Sequence, residues 1–294
     1  MTEFLQLIIN GLIVGSFYAL VGLAIVLVYK ATHIVSLAHG QLIAFGALFF
    51  WFTFAVLELP LWLSFLITAA LAAAMGFMID RFAPRPLIGR PLMAAFLATF
   101  AIFMVLDGIF QLILKGLFKV IPPFLPVIRF SIGDMTIPAT GLSGFGISLV
   151  IFIGLAVFFR YTKLGLGMRA TSEDHQLAQG TGISVKNIFS LVWIISAVAA
   201  AACGIILAAT TDIGYSLPWI IVKGLVVALF GGLDSLSGAL VAGLLLGVLE
   251  SVGAGYLDPI VGGGLQDVAA YIMLLFILLV RPYGLFGQAR IERV

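Results

Sequence analysis

The chain has 294 residues, of which 63% are hydrophobic and 10% are charged, and its mean hydropathy is +1.24. A soluble domain carries about a quarter charged residues, so this composition excludes a soluble globular protein and leaves no length for a soluble catalytic domain. The formal net charge is only +2, and the sequence holds no basic tract suited to nucleic acid.

Apolar runs recur along the whole chain. A hydrocarbon core about 30 Å thick needs roughly 20 apolar residues per helix. The sequence therefore predicts an all-α fold, a polytopic transmembrane helix bundle with eight or nine spans. Some windows are too short to cross as straight helices, so some spans are expected to be broken or re-entrant. The nine windows are 5–29, 41–57, 61–79, 92–114, 144–159, 188–209, 217–230, 238–252 and 265–280.

Positive charge predicts the orientation of these helices. Cytoplasmic loops carry an excess of Lys and Arg, and alternation from the segment 81–90 places Lys30, the loop at about 160–187 and the C-terminal tail on that same side. These segments hold eleven of the fifteen Lys and Arg residues. The N-terminus is therefore predicted to lie outside and the C-terminus in the cytoplasm. A long loop at about 115–143 is predicted to be external.

Small residues recur at four-residue spacing in three of the windows. Such stripes let helix backbones approach closely, so they predict packing between helices of the bundle. The stripes are Gly11 and Gly15, then Ala200, Gly204 and Ala208, and finally Ala239, Gly243 and Gly247.

Four charged residues fall in or near the predicted spans: Asp107, Lys223, Glu250 and Asp267. An ionised group at the bilayer centre costs about 2.5 to 3.5 kcal/mol or more, so each is expected to face protein or water. Asp107 lies well inside its span and is the candidate for lining a pathway. Glu250 and Asp267 lie near the outer ends of their windows, where they are expected to reach water.

The loop 160–187 contains a pattern typical of a two-turn helix. Ser172 is a predicted N-cap, Glu173 and Asp174 suit the positive end of the helix dipole, and Gly180 is a predicted end. A helix this short gains stability only by docking on something. The alternative is an ordinary solvated connector.

Five short sequence features follow one another along the chain. They are Asn10-Gly11 with Gly15 to Leu20, the tripeptide Ala38-His39-Gly40, the stretch 167–183, the glycine-rich region 223–250, and the end with Pro282, Gly284 and Gly287. Together they resemble a permease subunit of the branched-chain amino acid ABC importer family, the homologue of its first permease. Ser36-Leu37 and Asp234 depart from the family pattern, so the solute stays open among branched-chain amino acids, urea, short amides and aromatic acids.

The resemblance implies one permease domain, 1–294, in the bacterial inner membrane. Its implied partners are a second homologous permease, two cytoplasmic ATP-binding subunits and an external solute-binding protein. The sequence contains no Gly-Lys pair and hence no phosphate-binding loop, so no cofactor is expected in this chain and ATP is expected on the partner ATPases. The residues expected to couple to an ATPase are Arg169, Ala170, Ser172, Glu173, Asp174, Leu177 and Gly180.

Two interrupted helices are expected to flank the pathway. His39 and Gly40 follow a break between the first two windows, and Gly231 and Gly232 precede another. Interrupted helices expose backbone groups that bind polar solutes. With Asp107, these four residues are the pathway candidates.

Two other functions stay open on the residues alone. Asp107 and Lys223 would suit an ion-coupled secondary transporter, and a channel would need only the pathway. The sequence has no metal-site spacing and no nucleophile elbow, so no catalytic or metal-ligating residue is predicted and an enzyme is not expected.

The topology makes a first testable prediction. In an Arg85→Cys variant, an impermeant thiol reagent should label the new cysteine only after the cells are opened, whereas Pro122→Cys should be labelled in intact cells. The only native cysteine, Cys203, lies within an apolar run. Labelling of Arg85→Cys in intact cells would contradict the orientation.

Overall fold

Long helices make up most of the computed structural model, which describes residues 2–87, 90–132, 135–173, 175–281 and 284–287. The helices are α1 Thr2–Thr32, α2 His39–Trp51, α3 Leu61–Phe82, α4 Leu92–Leu114, α5 Ala139–Tyr161, α6 Lys163–Glu173, α7 His175–Gly180, α8 Val185–Thr210, α9 Ile220–Gly231, α10 Leu236–Val261 and α11 Leu265–Val280. A π-helical turn, Phe52–Val56, extends α2, and a 3₁₀ turn, Leu217–Trp219, precedes α9.

Seven helices of the described chain are long and apolar enough to cross a membrane: α1, α2 with its π-helical turn, α3, α4, α5, α8 and α10. Two further apolar helices are shorter, Leu217–Gly231 and Ala270–Val280. The mostly helical, multi-span character predicted from the sequence is therefore confirmed, with seven spans of full length.

A short β-hairpin interrupts the helical pattern in the loop between α4 and α5. Strands β1 (Arg129–Ile132) and β2 (Met135–Pro138) pair antiparallel, with Arg129 opposite Pro138. The side chain of Gln6 in α1 bonds both backbone groups of Thr136, each at 2.8 Å. The all-helical prediction did not include this hairpin, because two four-residue strands are a weak signal beside helices of more than twenty residues.

The chain divides into two compact units, the first of which draws on Met1–Val26, Pro126–Leu149 and Val222–Val294. In it, α1 packs on α10 through the predicted small-residue stripes. Gly11 lies against the backbone at Gly247 and Val248, and Gly15 lies against Gly243 and Leu244. Because glycines of both helices lie at these crossings, the two backbones come into direct contact.

The second unit, Leu27–Leu125 and Val150–Ile221, is centred on α8. Both α2 and α3 pack along α8, and Trp193 of α8 is fully buried. A Cβ atom at Gly204 would overlap the backbone carbonyl oxygen of Ile43, so only glycine permits this approach of α8 to α2. The predicted packing role of the stripe that contains Gly204 is confirmed.

This crossing generates a prediction. Gly204→Val should sharply reduce the yield of monodisperse protein in detergent, because overpacking typically costs about 1 to 3 kcal/mol and here the clash is with backbone. Gly154→Val in α5 is the matched control, since a side chain there would meet open space. Equal yields for the two variants on size-exclusion chromatography would show the α2–α8 contact to be wrong.

Candidate functional site

A break between α1 and α2 opens one polar region of the second unit. Helix α1 ends at Thr32, His33 has a left-handed φ of 56°, and α2 begins at His39. The next residue, Gly40, packs against the carbonyl oxygen of Pro218 and the side chain of Ile221, with no room for a Cβ atom. The predicted interruption before α2 is therefore present, and the turn Leu217–Trp219 is a second interruption that lies directly against it.

The imidazole of His39 is fully buried on α8. Its Nε2 lies 3.0 Å from Ser196 Oγ, and its ring lies 5.2 Å from the indole of Trp193. The Ser196 hydroxyl also lies 3.2 Å from the Trp193 carbonyl oxygen, to which it donates. His39 thus fixes the first turn of α2 on α8, and its role in a pathway stays a prediction.

Asp107 lies in a polar cluster between α2 and α4. One carboxylate oxygen, Oδ1, accepts from Gln41 Nε2 at 3.0 Å, and the other, Oδ2, accepts from Gln111 Nε2 at 2.5 Å. Asp107 lies about 22 Å from the first residue of α4 and about 10 Å from the last. The structure therefore places this carboxylate inside the span, as predicted, and adds two glutamines that the sequence reasoning missed.

Three helices of the first unit meet at a buried ion pair. Lys223 Nζ lies 3.1 Å from Glu250 Oε2, and the Tyr18 hydroxyl donates to the same oxygen at 2.9 Å. The Lys223 ammonium also lies 3.2 Å from that hydroxyl. The side chain of Glu250 is 1% exposed and that of Lys223 is 16% exposed. Tyr18, Lys223 and Glu250 thus join α1, α9 and α10.

The expectation that Glu250 reaches water was wrong. Helix α10 continues to Val261, so Glu250 lies about 16 Å before its end instead of at the edge of the predicted window. The predicted window ended at the last strongly apolar residue, so it did not include the more polar turns with which α10 continues. The other carboxylate expected near water, that of Asp267, lies outside the described side chains.

Gly231 and Gly232 lie where α9 ends, as predicted. Gly231 packs on the backbone of Gly238, and Gly232, with a φ of 101°, packs on Gly287. The amide of Leu285 donates to the Phe230 carbonyl at 2.8 Å. The segment 284–287 therefore covers this break, and the two glycines serve close backbone packing there. Their role in a pathway stays a prediction.

The segment after α5 forms two helices where the sequence predicted one. Helix α6 begins at Lys163 because the Thr162 hydroxyl accepts the amide of Gly165 at 2.9 Å, an N-cap that the sequence reasoning overlooked. Ser172 and Glu173 consequently end α6, so the predicted N-cap at Ser172 was wrong. Gly180 ends α7, as predicted. Asp174 lies outside the described residues.

Arg169 holds α6 against α5. Its Nη1 donates to the carbonyls of Phe159 and Arg160, and its guanidinium lies 5.7 Å from the Phe159 ring. These carbonyls belong to the last turn of α5, where no helical donor remains. The Lys30 ammonium also lies over the Phe159 ring, 5.0 Å from its centroid. The angle between α5 and α6 is therefore fixed by Arg169.

Helix α7 packs on the start of α8. Ala178 is buried with Val185 and Phe189, whereas Leu177 on the same helix is 71% exposed. Glu173, at the end of α6, is also exposed. Ala170 and Ser172 are half-buried. The pair α6–α7 is thus a docked platform on which Glu173 and three large apolar side chains, Leu164, Leu166 and Leu177, are exposed.

Apolar helices that enclose buried polar clusters and are interrupted within the bundle are typical of a membrane transport protein. A family model described as the permease component of branched-chain amino acid transport systems matches residues 7–280. The chain therefore belongs to this permease family.

Several relatives match this chain along almost their full length. The high-affinity branched-chain amino acid transport system permease protein BraD of Pseudomonas aeruginosa is 29% identical over 310 residues, covering 99% of this chain and 98% of BraD. LivH of Escherichia coli is 27% identical over 308 residues, covering 99% and 98%. The probable LivH of Methanocaldococcus jannaschii is 27% identical, covering 96% and 92%. These relatives are transport permeases, not enzymes.

Among solved structures, a chain of PsaBC from Streptococcus pneumoniae in complex with Fab aligns with 95% of this chain and 92% of its own length. The TM-score is 0.49 and the sequence identity is 16%.

The buried ion pair generates a prediction. Glu250→Gln should lower the melting temperature in detergent, because removing one partner of a buried pair costs about 3 to 5 kcal/mol. Lys223→Gln combined with Glu250→Gln should recover part of the loss, and Tyr18→Phe should cost less than Glu250→Gln, at about 1 kcal/mol. A double variant less stable than Glu250→Gln alone would contradict the pairing.

Proposed function

We propose that this chain is an inner-membrane permease subunit of an ATP-driven importer for branched-chain amino acids or a related small polar solute, and that it forms half of the translocation pathway. The observation that carries the proposal is the family match over residues 7–280, together with 27–29% identity to branched-chain amino acid permeases over nearly the whole chain. The other half comes from a second homologous permease.

The proposed complex also contains two cytoplasmic ATP-binding subunits and an external solute-binding protein. The chain has no Gly-Lys pair for a phosphate-binding loop, so the partner ATPases bind and hydrolyse ATP. This chain then needs no cofactor of its own, and its contribution is a pathway and a surface through which the ATPases act.

Contacts within each unit support an arrangement with the N-terminus outside and the C-terminus in the cytoplasm. In the second unit, Arg85 donates to the Lys186 carbonyl, which brings together the two loops that carry the most positive charge. At the opposite end, Lys119 pairs by two backbone hydrogen bonds with Ile213. In the first unit, Gln6 binds the hairpin of the loop predicted to be external. Each contact joins segments that alternation places on one side.

The two shorter apolar helices bring the proposed number of spans to eight or nine. Helix α9 has 12 residues, or about 18 Å, so it cannot cross a 30 Å core alone. It begins at the turn Leu217–Trp219 beside the start of α2, and this position fits a broken or re-entrant element lined by protein. The single permease domain, 1–294, includes all of these spans.

The α6–α7 platform is the proposed coupling surface, within the cytoplasmic loop at about 160–187. Its exposed residues include Glu173 and the apolar side chains of Leu166 and Leu177, a charge beside large apolar groups of the kind that a protein groove recognises. Arg169 acts indirectly, since its guanidinium is engaged with the last turn of α5. A displacement of the platform would therefore reach the span α5 directly.

One observation favours a rival function. The uncompensated carboxylate of Asp107 inside α4 would suit an ion-coupled secondary transporter. Uptake of leucine into proteoliposomes decides between them: the importer needs ATP on the cytoplasmic side, whereas a coupled transporter or a channel moves solute without ATP.

The coupling surface generates a prediction. Glu173→Arg, and separately a deletion of residues 172–179, should reduce both the ATPase subunits that co-purify with the chain and the substrate-stimulated ATP hydrolysis, because charge reversal opposes any complementary charge across the interface. Glu58→Arg, the same change at an exposed residue outside the platform, is the control. Wild-type values in both platform variants would leave α6–α7 a solvated connector.

A further inference from the structure

Two uncharged amide groups donate hydrogen bonds to Asp107. Oδ1 accepts from Gln41 and Oδ2 accepts from Gln111. Within the described residues the only ion pair joins Lys223 and Glu250, so Asp107 has no cationic side chain beside it. A lone negative charge inside a span is unfavourable unless a ligand or water compensates it.

Gln41 adds a second unmet requirement to the same cluster. Its side chain is fully buried, and its Oε1 has no hydrogen-bond partner in the described structure. Reversing the amide would point this oxygen at the Asp107 carboxylate, so two acceptors would face each other and the present orientation is the favourable one. A buried acceptor without a donor is unfavourable by about 1 to 3 kcal/mol. The cluster therefore lacks a hydrogen-bond donor for Gln41 Oε1 and a positive charge beside the Asp107 carboxylate.

The cluster can be reached from the exposed side of α4. Asp107 itself is 8% exposed, Gln111 is exposed, and the surface next to Gly108 is open. The Gln111 amide would be unfavourable in contact with lipid, and its hydrogen bond to Asp107 Oδ2 pairs it within the protein. The Gln111 amide covers Oδ2 and, being at the surface, is the group that a ligand can displace.

A primary ammonium group supplies what this site lacks. It carries one positive charge, three N–H donors and no acceptor. The acceptors present are the two Asp107 oxygens and Gln41 Oε1. A divalent metal is a poorer match, because no group of three His, Cys, Asp or Glu side chains occurs among the described residues. A neutral amide would leave the charge uncompensated, and a carboxylate would be repelled.

We infer that Asp107 and Gln41 bind the ammonium group of the transported solute. This inference rests on the proposed transport function and adds the group that is recognised. Asp107 supplies the charge, Gln41 supplies a neutral acceptor, and Gln111 occupies the site when solute is absent.

Competition on the wild-type complex tests the chemistry. Binding of labelled L-leucine to the purified complex of this chain with its partner subunits, without the solute-binding protein, would be measured against three analogues. Isoamylamine, which keeps the ammonium group, should compete, whereas isocaproate and isocaproamide, which lack it, should not. Competition by isocaproate or isocaproamide as strong as that by isoamylamine would overturn the inference.

Variants test the residues. Asp107→Asn should raise the leucine dissociation constant about tenfold or more, as expected for loss of a hydrogen bond to a charged group. Asp107→Glu, which keeps the charge, should restore part of the binding. Asp212→Asn, at an exposed carboxylate between α8 and α9, is the matched control and should change nothing. Unchanged leucine binding by assembled Asp107→Asn would overturn the inference.

The outcomes also separate this site from the transport function. If Asp107→Asn fails to assemble, the competition series on the wild-type complex decides. If the wild-type complex uses ATP to transport a neutral solute and binds neither leucine nor isoamylamine, the ammonium site is wrong and the importer stands. If the assembled complex transports no solute with ATP, the proposed function itself fails.

Discussion

Within a hydrocarbon core, each polar group must find its partner inside the protein, and this constraint organises the structure. Lys223 and Glu250 neutralise each other beside the Tyr18 hydroxyl, and the His39 imidazole bonds Ser196. Because each pairing joins residues far apart in sequence, satisfying the polar groups also fixes which helices are neighbours. The Asp107 cluster follows the same rule only in part, because the buried Gln41 Oε1 has no hydrogen-bond partner in the described structure.

Close approach of the helices makes those pairings possible. Gly11 and Gly15 let α1 contact the backbone of α10, and these are two of the three helices that carry the ion pair. On the other unit, Gly204 lets α8 contact α2 just beyond the His39–Ser196 bond. Lipid tails are as apolar as the helix surfaces, so packing of small residues and polar bonding together hold such helices in register.

The sequence predicted the elements well where a single property decides them. Apolar length located the helices, and four-residue spacing of small residues identified the helix faces that pack. The break before His39 was evident because polar residues interrupt two apolar windows. The N-cap of α6 at Thr162 was missed, because Ser172 followed by two acidic residues is a stronger local pattern. In the structure, the helix begins where the Thr162 hydroxyl accepts the free amide of Gly165.

The sequence by itself determined that the chain is a multi-span helical protein, where its spans lie, and that a carboxylate at Asp107 lies inside one of them. Only the tertiary structure decided that Glu250 is buried against Lys223, that Gln41 and Gln111 surround Asp107, and that Pro218 lies against Gly40. Length and hydropathy are properties of consecutive residues. The partner of a polar group depends instead on the packing of the helices. Only helix faces that fit closely bring a donor within hydrogen-bonding distance of an acceptor.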